Sequence, residues 1–233
     1  MLLAHAAATV DLISEGRVVL GLGIGGAFND AQRQEWLNAG VDPSGRASRF
    51  EETVDLLKRL TRGDEVTFQG RHFDLREVSI APASPNAGGV RTLIACHWRA
   101  GRERQFRRAA ELGNGYMSIS DYPNEYAQVT ERVRARAEER GRDFESMERS
   151  FYMTVNMLDD AEAATDEADR FLKLYYGMNI WGDRWGPWGP AELTIDRIRR
   201  YQEAGAETMI VRFASFDQER QLQRFLDEVV PEL

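Results

Sequence analysis

The sequence predicts an α/β protein with a parallel sheet, because short apolar runs alternate with amphipathic helical segments along the chain. The first apolar run, residues 17–26, consists of Val, Leu and Ile interspersed with glycines, which is typical of a fully buried strand. Apolar residues at helical spacing precede this run over 1–14 and follow it over 49–61. A helix, a buried strand and a second helix in this order indicate βα units.

The same alternation continues to the end of the chain. Asn29 and Asp217 are placed to cap helices, and Gly63 is placed to end one. The pattern predicts strands at 17–26, 91–96, 116–119, 151–158 and 208–213, a hairpin at 66–73, and helices at 1–14, 29–40, 49–61, 102–112, 124–140, 160–176, 190–205 and from 217 onward. The prediction is five strands, each followed by a helix, whereas a closed (β/α) barrel needs eight.

Composition limits the class of protein. The chain has 233 residues, of which 42% are apolar, and it contains no linker-like segment, so we expect a single domain over 1–233. A net charge of -8 argues against nucleic acid as a partner, and a single cysteine, Cys96, excludes a disulfide framework. We find no convincing signal peptide and no apolar run long enough to cross a membrane, so we expect a soluble cytoplasmic protein.

Several segments resemble the luciferase-like flavin-dependent oxidoreductases. They are LAHAAATVDLISEGRVVLGLGIGG at 3–26, RFEETVDLLKRL at 49–60, FQGRHF at 68–73, RAAELGNGY at 108–116 and YQEAGAETMIVRF at 201–213. The resemblance implies a TIM (β/α)8-type barrel that lacks the first three βα units and keeps about five. It also implies FMN or coenzyme F420 as cofactor, bound at the carboxyl ends of the strands, and an oxidoreductase or monooxygenase subunit acting on an unknown small-molecule substrate.

The absent units leave two alternatives open. They would carry part of the cofactor and substrate pocket, so the chain could instead be a non-catalytic, shortened paralogue that serves as a flavin-binding or structural subunit. A phosphate-binding barrel unrelated to flavin is a third reading. The sheet edges and helix faces left uncovered indicate either a partner chain or a fragment of a longer ancestral protein, and we predict a homo-oligomer, most simply a dimer.

Glycines in the first strand have three readings. Residues 21–26 match the G-x-G-x-x-G pattern of a Rossmann dinucleotide site, but no second strand ending in an acidic residue follows about 20 positions later. In a barrel, Gly23 and Gly25 would instead leave room for a flavin ring, while Leu20, Leu22 and Ile24 pack toward the helices. The glycines could also serve close packing alone.

The strongest candidate site is the segment HWRAGRER at 97–104, between a strand and a helix start. Free backbone N–H groups at a helix start favour an anion. The predicted flavin-phosphate contacts are His97, Arg99, Gly101, Arg102 and Arg104. His97 is also a weak candidate for a catalytic group, because barrel sites lie at the carboxyl ends of strands. Solvated arginines and a merely packed histidine remain open alternatives.

Three tryptophans, Trp181, Trp185 and Trp188, lie in one Gly/Pro-rich loop. They could cover an apolar substrate or a flavin, or they could pack against apolar surface or form a subunit interface, and the packing reading is slightly favoured. No metal site is predicted, since the three histidines are far apart in the sequence and the cysteine is single.

Overall fold

The computed structural model describes residues 1–233, which form two compact units. The first unit comprises 1–95 with 111–114, and the second comprises 96–110 with 115–233. In chain order the elements are α1 (Leu2–Ile13), β1 (Val19–Leu22), α2 (Asp30–Asn38), α3 (Arg46–Arg62), β2 (Val66–Gln69), β3 (Asp74–Val78), β4 (Arg91–Ala95), α4 (Glu103–Leu112), β5 (Gly115–Ile119), α5 (Pro123–Glu138), β6 (Glu148–Val155), α6 (Ala161–Tyr176), α7 (Ala191–Glu203), β7 (Thr208–Phe213) and α8 (Gln218–Arg224).

In the first unit, β1 and β4 are parallel, with Val19 opposite Arg91 and Leu22 opposite Ile94. β2 and β3 form a hairpin that begins at the predicted Val66 but extends to Val78, beyond the predicted end at residue 73. Side chains of α1 and α3, including Ala8 and Leu57, form the core beneath them. Leu20 and Leu22 pack against this core as predicted.

The strand at 17–26 is shorter and less buried than predicted. Only 19–22 are strand, and exposed residues alternate with half-buried ones along it. Val19 is 37% exposed, because it lies on the face of β1 opposite the helices. The apolar run therefore indicated a strand correctly but a fully buried one wrongly, since periodicity cannot tell whether a second layer covers the strand.

A buried carboxylate ties α1 to the loop before β4. Asp11 is fully buried and accepts hydrogen bonds from the Val18 N–H (3.0 Å), the Ser84 hydroxyl (2.5 Å) and the Asn86 amide (3.2 Å). These bonds replace the water that the charge loses on burial. The chain direction from α1 into β1 is thereby fixed.

In the second unit, β5, β6 and β7 are parallel, with Ile119 opposite Tyr152 and Tyr152 opposite Ile210. The outer face of β6 packs against helices through Phe151, whose ring stacks on Tyr201 at 3.7 Å and meets Tyr126 edge-on at 5.4 Å. The opposite face of β6 carries Tyr152 and Thr154. All three strands direct their carboxyl ends toward the loops that begin α5, α6 and α8.

Helix boundaries follow the predicted signals. Asn29 accepts from the Gln32 N–H, Asp217 accepts from the Arg220 N–H, and Gly63 ends α3 with a φ of 91°. These cap predictions are confirmed. No helix in the chain combines the length and apolar character that a membrane span requires.

Candidate functional site

The turn from β4 to α4 has a defined backbone conformation. His97 is extended, 98–100 form a single helical turn, and Gly101 takes a left-handed φ of 57°. Nothing lies within 4 Å of the position that a Cβ at Gly101 would occupy, so glycine is required there by backbone conformation and not by crowding. α4 begins two residues later and leaves its first N–H groups without intrahelical acceptors.

Gln105 holds the backbone of His97 from both sides. Its side-chain oxygen accepts from the His97 N–H at 3.0 Å, and its side-chain nitrogen donates to the His97 carbonyl at 2.7 Å. Gln105 is buried on α4 and so has little freedom to move. This pair of bonds fixes His97 relative to the helix.

The imidazole of His97 is half-buried, and its Nδ1 is buried without a hydrogen-bond partner. Burial lowers the pKa of His97 below its usual value, and the nearby Asp121 carboxylate opposes that shift only in part. The side chain is therefore neutral near about pH 7, and a neutral imidazole can accept a proton. An unpartnered buried nitrogen is the feature that a ligand hydroxyl or carbonyl would satisfy.

Asp121 and Ser120, at the end of β5, belong to the same site but were not predicted. Asp121 is fully buried, and its Oδ2 accepts from the Trp98 N–H at 2.7 Å and the Ser118 hydroxyl at 2.6 Å. Its Oδ1 and the Ser120 hydroxyl have no partner. Ser120 also has a φ of 58°, which is strained for a residue other than glycine. The available sequence signal was the position of two polar residues directly after a strand.

Burial raises the pKa of Asp121 above its usual value, and its hydrogen bonds from Ser118 and Trp98 work against that shift. The carboxyl end of β5 thus joins the β4–α4 turn through a buried acid. Because Trp98 follows His97 directly, the same acid helps to hold the segment that carries the imidazole.

The predicted arginines divide into two groups. Arg99 lies over the Trp181 ring, with its guanidinium carbon 5.0 Å from the ring centroid. Arg102 and Arg104 are exposed and form no ion pair. Their role in binding a phosphate stays a prediction, whereas Arg99 is positioned by a cation–π contact with the tryptophan-containing loop.

The loop at 181–189 is anchored to two strands. The carbonyl of Trp185 accepts from both the N–H and the hydroxyl of Thr154, each at 2.9 Å, and Arg184 donates to the Ser120 carbonyl at 2.9 Å. Trp185 is buried, and Trp181 and Trp188 are half-buried against the same core cluster. The indole nitrogens of Trp185 and Trp188 are buried without acceptors. All three side chains therefore pack in one apolar cluster, and a substrate contact by any of them stays a prediction.

Gly23 and Gly25 lie in the first unit, directly after β1. Gly23 is exposed, and a Cβ there would lie 3.6 Å from Ala95, which is an ordinary contact distance. Packing therefore does not require a glycine at this position. Gly25 has a φ of 71°, and a Cβ there would meet the Trp36 ring at 2.6 Å. Packing explains Gly25 without a ligand. Because the next strands form an antiparallel hairpin, the Rossmann reading finds no support.

The second unit offers a donor set that fits a phosphorylated flavin or deazaflavin. Open N–H groups at the start of α4 and the Arg99 guanidinium suit a phosphate. The unpartnered His97 Nδ1 and Ser120 hydroxyl suit polar ring or substrate atoms. These groups lie at the carboxyl ends of β4 and β5, which is where barrel enzymes bind their ligands. Fold and site together therefore define an α/β protein with a ligand site like that of a barrel enzyme.

Comparison with known proteins identifies the family to which the chain belongs. Residues 1–178 match the family model described as luciferase-like monooxygenase. The chain belongs to the luciferase-like monooxygenase family, and the predicted recognition as a luciferase-like oxidoreductase is confirmed.

Relatives carry two kinds of name. The chain is 28% identical to an F420-dependent glucose-6-phosphate dehydrogenase of Kribbella flavida over 98% of its own length and 73% of the relative's. It is 32% identical to a phthiodiolone/phenolphthiodiolone dimycocerosates ketoreductase of a Mycobacterium species over 77% of its own length and 46% of the relative's.

Solved structures show the same fold. An F420-dependent secondary alcohol dehydrogenase, solved with an F420-acetone adduct, matches with a TM-score of 0.83 and 20% identity over 99% of this chain and 74% of that one. A monooxygenase from Streptomyces bottropensis matches with a TM-score of 0.78 and 20% identity over 98% of this chain and 73% of that one.

Proposed function

We propose that the chain is an F420-dependent oxidoreductase that interconverts a small alcohol and the corresponding carbonyl compound. The single observation that carries the proposal is the buried Nδ1 of His97, which has no hydrogen-bond partner and lies at the carboxyl end of β4. The names of the F420-dependent relatives support the choice of cofactor.

The cofactor supplies a hydride acceptor when it is bound. Oxidation of an alcohol also releases the hydroxyl proton, and neutral His97 can accept that proton through Nδ1. Gln105 fixes the position of His97, and Asp121 holds the adjoining Trp98 amide. Arg99 and the first amides of α4 would hold the phosphate, while Gly101 shapes the turn; Arg102 and Arg104 would add positive charge.

We further propose that the five parallel strands correspond to five of the eight strands of a luciferase-like barrel. The chain spans about three quarters of the length of its relatives, which supports this correspondence.

An FMN-dependent monooxygenase is the second candidate, favoured by the structural likeness to the Streptomyces monooxygenase. Turnover assays separate the two. We expect F420 absorbance to fall on addition of 2-propanol or glucose 6-phosphate under anaerobic conditions. Oxygen-dependent consumption of reduced FMN with no F420 reduction would favour the monooxygenase. Cofactor binding without turnover across alcohol and ketone panels would favour the non-catalytic subunit.

A further inference from the structure

Arg212, the fifth residue of β7, is held by aromatic side chains. Its guanidinium donates to the Tyr176 hydroxyl at 3.0 Å and lies 3.5 Å from the Tyr152 hydroxyl. The guanidinium carbon is also 3.7 Å from the centroid of the Tyr175 ring. These contacts come from β6 and from the end of α6, so the group is fixed from two elements.

The positive charge of Arg212 has no carboxylate partner. Its neighbours are phenol groups and ring faces, which attract a cation but do not neutralise it. Three other half-buried arginines of the second unit do pair with acids: Arg149 with Glu207, Arg184 with Glu125, and Arg224 with Glu228. A half-buried guanidinium without an acidic partner can bind a carboxylate or phosphate through two parallel hydrogen bonds.

Strand register places Arg212 on the face of the strands opposite Phe151. Thr154 lies opposite Arg212 in the β6–β7 pair, so Tyr152, Thr154 and Arg212 share one face. The other face of β6 carries Phe151, which is covered by helices. Arg212 is also near the carboxyl end of β7, which is where barrel enzymes bind their substrates.

An aromatic row runs from Arg212 toward the β4–α4 turn. Tyr176 stacks on Trp185 at 5.4 Å, Trp185 meets Trp181 edge-on at 6.3 Å, and the Arg99 guanidinium lies over Trp181. The row thus has one unpaired arginine at each end. Two separated cations fit two anionic groups better than one, and under the proposed function Arg99 binds the cofactor phosphate.

We propose that Arg212 binds the carboxylate or phosphate group of an anionic substrate. This inference rests on the proposed function, because it gives the substrate a charge and a place beside the cofactor. The substrate class is then a hydroxy or oxo compound that carries an acidic group.

Inorganic phosphate is the probe, and tryptophan fluorescence of the full chain reports its binding because Trp185 stacks on Tyr176. We expect saturable binding that weakens at least about tenfold in Arg212→Gln, which removes the charge and the two parallel donors. Arg212→Lys should retain part of it, since a lysine keeps the charge without the fork. Arg220→Gln, at an exposed arginine of α8, is the matched control and should bind as the wild type does.

A second titration, with F420 and its own fluorescence, separates the two sources of an anion. Phosphate that still binds to the F420-saturated chain supports a substrate site at Arg212. Phosphate displaced by F420 would assign Arg212 to the cofactor tail and overturn the proposal, as would equal phosphate binding in the wild type and Arg212→Gln or no binding in either. Failure of F420 to bind at all would contradict the proposed function, while the phosphate result would still decide the role of Arg212.

Discussion

At the scale of single residues, the site depends on groups that are buried and only partly satisfied. His97 Nδ1, the Ser120 hydroxyl and Asp121 Oδ1 all lack partners, although neighbouring polar atoms are fully bonded. Buried polar atoms without partners cost free energy, so their accumulation at two strand ends marks a place for ligand atoms. Their hydrogen-bonded supports, Gln105 and Ser118, hold the surrounding backbone and carboxylate in place.

The pH dependence of activity follows from His97. Because burial lowers its pKa below the ordinary value of about 6.5, the neutral, proton-accepting form persists to lower pH than for a free histidine. We expect kcat/KM for alcohol oxidation to stay level near neutral pH and to fall only below that value. His97→Asn should lower kcat and abolish this acidic limb. An acidic limb of unchanged position in His97→Asn would contradict the assignment.

Stability should decrease toward acidic pH for the same reason. A histidine with a lowered pKa in the folded state binds protons more strongly when unfolded, so the free energy of unfolding should decrease as pH falls through about 6.5. Urea unfolding above and below that pH tests this, and the decrease should be smaller in His97→Asn.

Gln105 should act as a positioning residue. Gln105→Leu removes both bonds to His97, so we expect kcat to fall about tenfold or more with little change in KM, because a small displacement of a catalytic group slows chemistry. Gln128→Leu on α5, whose side chain makes only an exposed bond, is the control. If both variants lose activity only in proportion to lost folded protein, Gln105 is merely structural.

The sequence predicted the turn at 97–104 but not its supports. A helix start after a strand, rich in arginine, is a local pattern that can be read directly. Gln105, Ser120 and Asp121 became visible only when strand ends were brought together, because their partners lie 3 to 23 positions away in the chain. Nothing local to Arg212 indicated that it would lack an acidic partner.

At the scale of elements, the attachment of α1 to the rest of its unit depends on one buried carboxylate. Asp11 binds Val18, Ser84 and Asn86, and its removal would leave these donors without an acceptor. We expect Asp11→Ala to lower the free energy of unfolding by about 2–4 kcal/mol. Asp30→Ala, at an exposed residue of α2, is the control and should change it by less than about 0.5 kcal/mol. Urea unfolding measures both, and equal losses would contradict the role of Asp11.

The alternation of strands and helices was predictable because it rests on periodicity and caps. Burial of β1 was not, since Val19 and Gly21 face away from the core that covers Leu20 and Leu22. The tryptophan loop was also ambiguous from the sequence. Its packing depends on Thr154, about 30 residues earlier, which binds the Trp185 carbonyl.

At the scale of the whole molecule, α1 exposes several large apolar side chains. Leu2 is 89% exposed and Ile13 is 76% exposed. Exposed apolar area of this kind is unfavourable in water. We propose, as the sequence already predicted, a homo-oligomer that covers it, and light scattering of the purified chain should give at least the mass of a dimer. Leu2→Ser combined with Ile13→Ser should shift the mass toward the monomer, and a stable wild-type monomer would contradict the proposal.

The central claim is that the β4–α4 turn holds the anionic tail of a deazaflavin. The most direct measurement is equilibrium titration of the purified chain with F420 and FMN, read by fluorescence quenching, for the wild type, Arg99→Gln and the control Arg220→Gln. We predict saturable F420 binding that weakens about tenfold, or about 1.4 kcal/mol, in Arg99→Gln only. Wild-type binding of neither F420 nor FMN, or binding that Arg99→Gln leaves unchanged, would contradict the account.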